Sequence, residues 1–246
     1  MPKVDKSDGT KRPALLPAGF KDQLPLSAAH ESSIVRRIIA RCESSGYERV
    51  KPPLIEFEDS LLYGPGESMM DSTFRLMDPL SGRMMGIRAD MTVQVARVAS
   101  TRLRHMERPL RLCYSGEVLR VQPASLTPER ELVQVGAELV GPDNVAADLE
   151  IILLAFDALQ QVGAKNMSID ISTPTLVPIV LQSMNIDMIN SPNLRSALDR
   201  KDITEVEKLA GVASELLVNL MEAAGSWEAG MKKLRKLTLP VEAIKI

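Results

Sequence analysis

Two neighbouring strand-like stretches carry the side chains best suited to hold a small polar ligand. Across residues 131–140 polar or small side chains alternate with apolar ones, which is typical of a β-strand with two different faces. Gln134 and Glu138 share the polar face, and the preceding stretch carries Tyr114 and Arg120 at even positions as well. An amide, a carboxylate, a phenol and a guanidinium on one sheet face can bind a small molecule through hydrogen bonds and charge.

A pair of glycines supports the interpretation that this face binds a small molecule. If even positions of the two strands lie opposite one another, Gly116 faces Gly136 and leaves a floor without side chains. The four polar side chains would then wall that floor. The same alternation is also what any antiparallel sheet shows when one of its faces points to water. Both interpretations, ligand floor and solvent face, stay open at this point.

The stretch IRADMT offers a second set of ligand candidates. Asp90 stands just before a predicted helix, where a short acidic residue commonly caps the first turn. It can equally hold an ammonium group, with Thr92 adding a hydrogen bond. Arg88, at the end of the preceding strand, is interpreted either as a structural ion-pair partner or as an anion contact.

The sequence gives little support for metal or nucleophile chemistry. His30 and His105 lie on predicted helix surfaces beside charged neighbours. Cys42 and Cys113 form no C-x-x-C pair and are predicted to be core residues. We therefore expect no metal, no cofactor and no catalytic residue.

The elements that position these residues predict an α+β fold. Helices are predicted over 27–45, 91–105 and 143–163, and strands over 47–57, 72–77, 83–88, 110–121, 131–140 and 166–172. Pro52 and Pro53 cannot donate ladder hydrogen bonds, so their strand is expected at an edge or at an interface with another subunit. Residues 1–14 are predicted to be a disordered tail, 15–172 the core, and 173–246 a small helical unit.

Composition limits the partners and the compartment. A net charge of −2 and an aromatic content of 3% argue against a nucleic-acid partner. No stretch approaches the roughly 18 apolar residues of a membrane span, and the polar first fourteen residues do not look like a secretory signal. Because cysteines are few and unpaired in sequence, we expect a soluble chain in the reducing cytoplasm.

Residues 14–172 together resemble the class II aminoacyl-tRNA synthetases, and the histidyl enzymes most. LPAGFKDQLP is similar to the opening of that family, and GYERVKPPLIEFEDSLL to its motif 1, the dimer-forming strand. GIRADMTVQVAR is similar to its amino-acid-binding segment, and YSGEVLR with ERELVQVGAEL to its motif 2 hairpin. The resemblance implies a mixed, mainly antiparallel sheet flanked by helices and a homodimer through the strand that contains Pro52 and Pro53.

The resemblance also implies roles for the candidate residues. Asp90, Thr92, Gln134 and Glu138 match the positions at which the synthetase holds histidine, and Arg120 matches its α-phosphate-binding arginine. The stretch LRVQ, residues 119–122, replaces the family's Phe-Arg-x-Glu and thus lacks its acid. The loop PASLTPERE lacks the family's basic run, and motif 3 and an anticodon-binding domain are not found. Histidine activation is therefore not expected.

Three sequence segments are similar to segments of the family of ATP phosphoribosyltransferase regulatory subunits: IRADMTVQVAR, RPLRLCYSGEVLR and RELVQVGAELVG. That resemblance implies a non-catalytic chain which assembles with the short-form catalytic subunit and takes histidine as effector in the first step of histidine biosynthesis. Because the sequence ends where the family continues into further strands, we expect an incomplete pocket. A truncated amino-acid-activating ligase and a free-standing histidine-binding protein stay open as alternatives.

Overall fold

A computed structural model describes residues 16–123, 128–186 and 192–244, which form two compact units, one ending at Met167 and the other beginning at Ser168. The expected boundary near residue 173 lies a few residues later. The predicted tail, 1–14, lies outside the described residues. Each unit is described by itself.

The first unit contains four α-helices and six strands among its described residues. They are α1 (Pro25–Ser44), β1 (Glu48–Arg49), β2 (Ile55–Phe57), α2 (Glu58–Leu61), a 3-10 helix (Gly64–Ser72), β3 (Phe74–Met77), β4 (Met84–Ile87), α3 (Thr92–Thr101), β5 (Leu110–Leu119), β6 (Glu131–Val140) and α4 (Val145–Gln161). One sheet has the order β1-β5-β6, with β1 parallel and β6 antiparallel to β5; the other, β2-β4-β3, is antiparallel. The predicted α+β class, with a mainly antiparallel sheet flanked by helices, is confirmed.

Apolar side chains pack against both faces of the β5–β6 hairpin. On the even-numbered face, Met91 and Val95 at the start of α3 pack with Tyr114 and Val118. On the odd-numbered face, residues of α1 and α4 pack around Cys113. The even face of the hairpin is therefore covered by the 88–95 segment, and the solvent-face interpretation is wrong for this part of the sheet.

Local signals account for several helix ends. Gly46 has φ +81°, a left-handed conformation that glycine adopts without steric cost, and it follows the end of α1. The Asn144 side chain accepts a hydrogen bond from the Ala147 amide and so caps α4. At α3 the predicted cap is displaced by one residue, because Met91 occupies the capping position while Asp90 accepts a hydrogen bond from the Thr92 amide. The helix also ends at Thr101, earlier than expected.

Two strand predictions are wrong. Residues 50–54, which include Pro52 and Pro53, form no strand and connect β1 to β2. Two consecutive prolines remove two ladder donors, and the carbonyl groups of this segment are bound by side chains instead. Residues 166–172 also form no strand: Asn166 has φ +53°, and the described residues offer no neighbouring strand there.

The second unit is helical, as predicted. It contains α5 (Leu176–Ser183), α6 (Pro192–Asp199), α7 (Ile203–Leu209), α8 (Ser214–Ala223), α9 (Trp227–Leu234) and α10 (Val241–Ile244). Its core is a cluster of aliphatic side chains that includes Leu181, Leu194, Val206 and Leu217. In the described part of the chain, no helix has the length and apolar character that a membrane crossing requires.

Candidate functional site

The register of the β5–β6 hairpin differs from the predicted one by two residues. Tyr114 lies opposite Gly136, and Gly116 lies opposite Gln134, so the two glycines do not face each other. A shift by two keeps every side chain on its predicted face, because side chains alternate with a period of two. The glycines therefore make room for two different groups rather than for one shared floor.

Each glycine accommodates a large side chain. A Cβ atom at Gly136 would lie 2.5 Å from the Cζ atom of Tyr114, and one at Gly116 would collide with the guanidinium group of Arg88. The Tyr114 ring thus lies over Gly136, and the Arg88 guanidinium lies over Gly116. Residues without side chains are required at both places for these two groups to reach the sheet surface.

The Tyr114 hydroxyl joins the start of α3 to β6. It donates a hydrogen bond to Oε1 of Glu138 at 3.0 Å and lies 3.1 Å from the hydroxyl of Thr92. Tyr114 is only 2% exposed, whereas Thr92 is exposed and Glu138 is half-buried. Burial, together with the nearby Glu138 carboxylate, raises the pKa of Tyr114 well above its ordinary value, so the phenol is a hydrogen-bond donor at neutral pH.

Gln134 makes the second link between β6 and the 88–92 segment. Its Nε2 donates to Oδ2 of Asp90 at 2.8 Å, and its Oε1 accepts from the Met91 amide at 2.8 Å. The other carboxylate oxygen of Asp90 accepts from the Thr92 amide at 2.7 Å. Gln134 therefore holds Asp90 in place, and the two carboxylates of the network, Asp90 and Glu138, belong to one connected set of hydrogen bonds.

Arg120 lies next to this network at the end of β5. Its Nε atom is 3.4 Å from the carbonyl oxygen of Ala89, a long hydrogen bond, and the side chain is half-buried. Its backbone amide donates to the carbonyl of Arg130 at 2.8 Å. Within the described residues no carboxylate lies within 4.0 Å of the Arg120 guanidinium. Its charge is thus free to meet an anionic group.

Arg88 is a buried cation that carbonyl groups hold in place. It is 4% exposed, and its Nε donates to the carbonyl of Glu117 at 2.7 Å while Nη1 donates to the carbonyl of Pro52 at 3.0 Å. Burial lowers its pKa, partly offset by Glu117 and Glu56. Neither predicted role fits this geometry: in the described part of the chain Arg88 forms no ion pair, and it binds main-chain carbonyl oxygens.

The two acidic side chains of the site are able to bind a positively charged group of a ligand. Neither Asp90 nor Glu138 has a basic group within 4.0 Å among the described residues, so both can accept from a positively charged ligand. No group of three or more histidine, cysteine or acidic side chains arranged for a metal ion occurs in the described ranges. The described side chains of the site offer hydrogen-bonding groups and charge.

The structure brings together the six residues singled out in the sequence: Asp90, Thr92, Tyr114, Arg120, Gln134 and Glu138. Five of them share one hydrogen-bond network, and Arg120 lies beside it through Ala89. Sequence reasoning missed the Met91 amide as a partner of Gln134, and it singled out Arg88 without its main-chain carbonyl partners. Main-chain donors and acceptors carry no signal in the sequence, so neither set of partners could have been predicted.

Comparison with known proteins places the chain in a family. The family model described as histidyl-tRNA synthetase matches residues 19–245. A protein named ATP phosphoribosyltransferase regulatory subunit, from Rhodospirillum centenum, is 50% identical over 230 residues, which is 94% of this chain and 60% of that protein. One with the same name from Paramagnetospirillum magneticum is 48% identical over 94% of this chain and 61% of that protein. The chain thus spans about 60% of the length of these relatives.

A solved structure supports the fold. The Bacillus halodurans protein described as an ATP phosphoribosyltransferase regulatory subunit/histidyl-tRNA synthetase superposes with a TM-score of 0.81 at 24% identity, over 96% of this chain and 62% of that one. At this identity the likeness speaks for the fold alone. Because the family model covers nearly the whole chain, the chain belongs to the histidyl-tRNA synthetase family.

Proposed function

We propose that the chain is a non-catalytic regulatory subunit of ATP phosphoribosyltransferase, which activates the short-form catalytic subunit and carries histidine feedback in the first step of histidine biosynthesis. Relatives that bear this name match 94% of the chain at 48% and 50% identity. The observation that carries the proposal is the network of Asp90, Gln134, Tyr114 and Glu138, which offers hydrogen-bonding groups and unneutralised carboxylates on one sheet face.

The chemistry of this site suits histidine. The α-ammonium group has three donors, for which the Asp90 carboxylate and the Thr92 hydroxyl are acceptors. An imidazole N–H can donate to Glu138, and the Arg120 guanidinium at the end of β5 is a partner for the α-carboxylate. Asp90, Thr92, Arg120 and Glu138 thus each have a complementary group on the ligand, while Gln134 and Tyr114 hold the two carboxylates in place. Binding would exchange internal hydrogen bonds for bonds to the ligand without any covalent step.

Charge argues against ATP-dependent activation of the amino acid. Formation of an aminoacyl-adenylate needs positive charge on the departing pyrophosphate. Of the cations described at the site, Arg88 is buried and bound to carbonyl groups, which leaves Arg120. The exposed Gln122 stands where the synthetase motif has its acid. The proposed role is therefore binding, with catalysis on the partner.

We also propose a homodimer through the 50–54 segment, and a cytoplasmic location. Next to Pro53, the apolar side chains of Leu54 and Ile55 are 39% and 36% exposed. Burying these two side chains against a second copy of the chain would remove their apolar surface from water. The absence of a strand at this segment changes the kind of contact expected, from strand pairing to side-chain packing.

The test is to add the full chain to a short-form ATP phosphoribosyltransferase catalytic subunit and to measure phosphoribosyl transfer with and without histidine. We expect activation by the chain and an inhibition by histidine that the catalytic subunit alone does not show. Glu138→Gln should keep the activation and lose about 5- to 100-fold in histidine sensitivity, the usual span of an allosteric coupling. Glu131→Gln, at the exposed start of the same strand, is the matched control and should behave like the unaltered chain. If neither activity nor histidine response changes on mixing, the proposal is wrong.

Amino-acid activation is the second candidate, because the matching family model is named for a synthetase and Arg120 stands at the phosphate-binding position. Histidine-dependent exchange of pyrophosphate into ATP would establish it. A free-standing histidine-binding protein would instead bind histidine and elute separately from the co-expressed catalytic subunit in size-exclusion chromatography.

A further inference from the structure

The seven residues 88–94 touch both the candidate pocket and the Pro52–Pro53 segment. Asp90 and Thr92, in the middle of the stretch, belong to the pocket network. Arg88 and Gln94, at its two ends, bind the carbonyl groups of Pro52 and Pro53. One short stretch of chain thus joins two places that the proposed function treats as the effector site and the subunit interface.

Arg88 holds the segment from one side. Its Nη1 lies 3.0 Å from the carbonyl oxygen of Pro52, and its backbone amide donates to the carbonyl of Leu54 at 3.1 Å. Its Nε binds the carbonyl of Glu117 on β5 at 2.7 Å. A buried guanidinium that donates hydrogen bonds to carbonyl groups from two elements fixes the distance between those elements.

Gln94 holds the segment from the other side, although one of its own polar atoms is buried without a hydrogen-bond partner among the described residues. It is 1% exposed, and its Nε2 donates to the carbonyl of Pro53 at 2.8 Å. Its Oε1 is the one buried side-chain nitrogen or oxygen without a hydrogen-bond partner in the described residues. A buried unpaired acceptor destabilises the arrangement that contains it. A rearrangement that gave this oxygen a donor would therefore be favoured, although Pro52 and Pro53, which lack N–H groups, cannot supply it.

A third contact ties α3 to the same region. One turn after Gln94, the guanidinium of Arg97 forms a two-point ion pair with the carboxylate of Glu56 on β2. The first half of α3 is therefore tied to the 52–56 stretch by the side-chain contacts of Gln94 and Arg97. Since Thr92 begins this helix, a ligand that displaced its hydroxyl or the Asp90 carboxylate would also act on the contacts that Arg88 and Gln94 make with Pro52 and Pro53.

We propose that Arg88 and Gln94 are positioning residues that couple occupancy of the histidine pocket to self-association through the Pro52–Pro53 segment. This inference rests on the proposed function, because it takes histidine as the ligand and that segment as the dimer contact. Linkage requires the effect to be reciprocal: the factor by which histidine changes the dimer dissociation constant equals the factor by which dimerisation changes histidine affinity.

The experiment compares the full chain with Gln94→Met, which keeps the size of the side chain and removes its amide. Sedimentation equilibrium with and without histidine gives the dimer constant, and calorimetric titration gives histidine affinity. In the unaltered chain we expect histidine to change the dimer constant about fivefold or more. In Gln94→Met, histidine should change the dimer constant by less than about twofold, while histidine still binds. Ser100→Ala, on the exposed side of α3, should retain the full factor.

Gln94→Asn, which retracts the amide from the Pro53 carbonyl, is the second variant and should give the same loss if Gln94→Met does not fold. A variant that binds histidine and keeps the full factor overturns the inference and leaves the proposed function intact. The same holds if the unaltered chain binds histidine and stays monomeric, or dimerises with a constant that histidine does not change. An unaltered chain that binds no histidine overturns the proposed function and this inference together.

Discussion

Replacing Gly136 by alanine is the most direct test of the observed hairpin register. In the register predicted from the glycines alone, the new methyl group would meet only Gly116 and would cost little. In the structure it would lie 2.5 Å from Cζ and 2.9 Å from Cε2 of Tyr114. Ordinary van der Waals contact is nearer 3.4 Å, so the ring must retreat by about 1 Å.

That retreat has a cost that can be worked out. Overpacking in a well-packed region typically costs about 1–3 kcal/mol. A displacement of this size also breaks the hydrogen bonds of the Tyr114 hydroxyl to Glu138 and Thr92, since they are already 3.0 and 3.1 Å long. Because Tyr114 is 2% exposed, the freed phenol finds no water and adds about 1–3 kcal/mol. We therefore expect Gly136→Ala to lower the free energy of unfolding by about 2–6 kcal/mol, taking the two effects together.

The assay is a double-mutant cycle of Gly136→Ala and Tyr114→Ala, with free energies from urea unfolding followed by circular dichroism. Tyr114→Ala alone should cost about 3–5 kcal/mol. Once the ring is gone the alanine at position 136 meets nothing, so the double variant should be little less stable than Tyr114→Ala. The coupling energy should then be about 2 kcal/mol or more. Additive effects within about 0.5 kcal/mol would refute the pairing of Tyr114 with Gly136.

Further predictions concern the N-terminal cap of α4 and the pH dependence of stability. Asn144→Ala removes the side-chain acceptor for the Ala147 amide and should lower the free energy of unfolding by about 1 kcal/mol in urea titration; Asn144→Asp, which can still cap, should not. Hydrogen bonds from Arg111, and then from Tyr47, lower the pKa of Glu150 below its ordinary value of 4.5. The stabilisation that these hydrogen bonds to the ionised Glu150 provide is therefore complete above about pH 4.5. It is lost as pH falls through the lowered folded-state pKa of Glu150. Unfolding measured from pH 7 to pH 2 should show a smaller acid loss for Glu150→Gln, and an unchanged acid loss would contradict this.

Much of the fold follows from local signals in the sequence. The alternation in 131–140 sets the two faces of β6, and on the even face Gln134 binds the 88–92 segment directly while Glu138 reaches it through the Tyr114 hydroxyl. The register was beyond this reasoning, because a slip by two residues leaves the faces unchanged. What decides it is the fit of the Tyr114 ring over Gly136, which only the three-dimensional arrangement reveals.

The errors around the proline pair and at residues 166–172 have a different origin. Pro52 and Pro53 were assigned to a strand from their apolar neighbours, while the donors that bind their carbonyl groups lie some forty residues away in Arg88 and Gln94. A sequence pattern read within a short window does not contain such partners. The stretch 166–172 alternates as a strand should, but a strand forms only where another strand lies beside it.

Calorimetric titration of the full chain with histidine tests the central claim most directly, namely that the network of Asp90, Gln134, Tyr114 and Glu138 is a histidine site. We predict saturable binding at one site per chain, about tenfold or more weaker in Glu138→Gln and unchanged in Glu131→Gln. No binding heat from the unaltered chain, or equal affinities in Glu138→Gln and Glu131→Gln, would contradict the account.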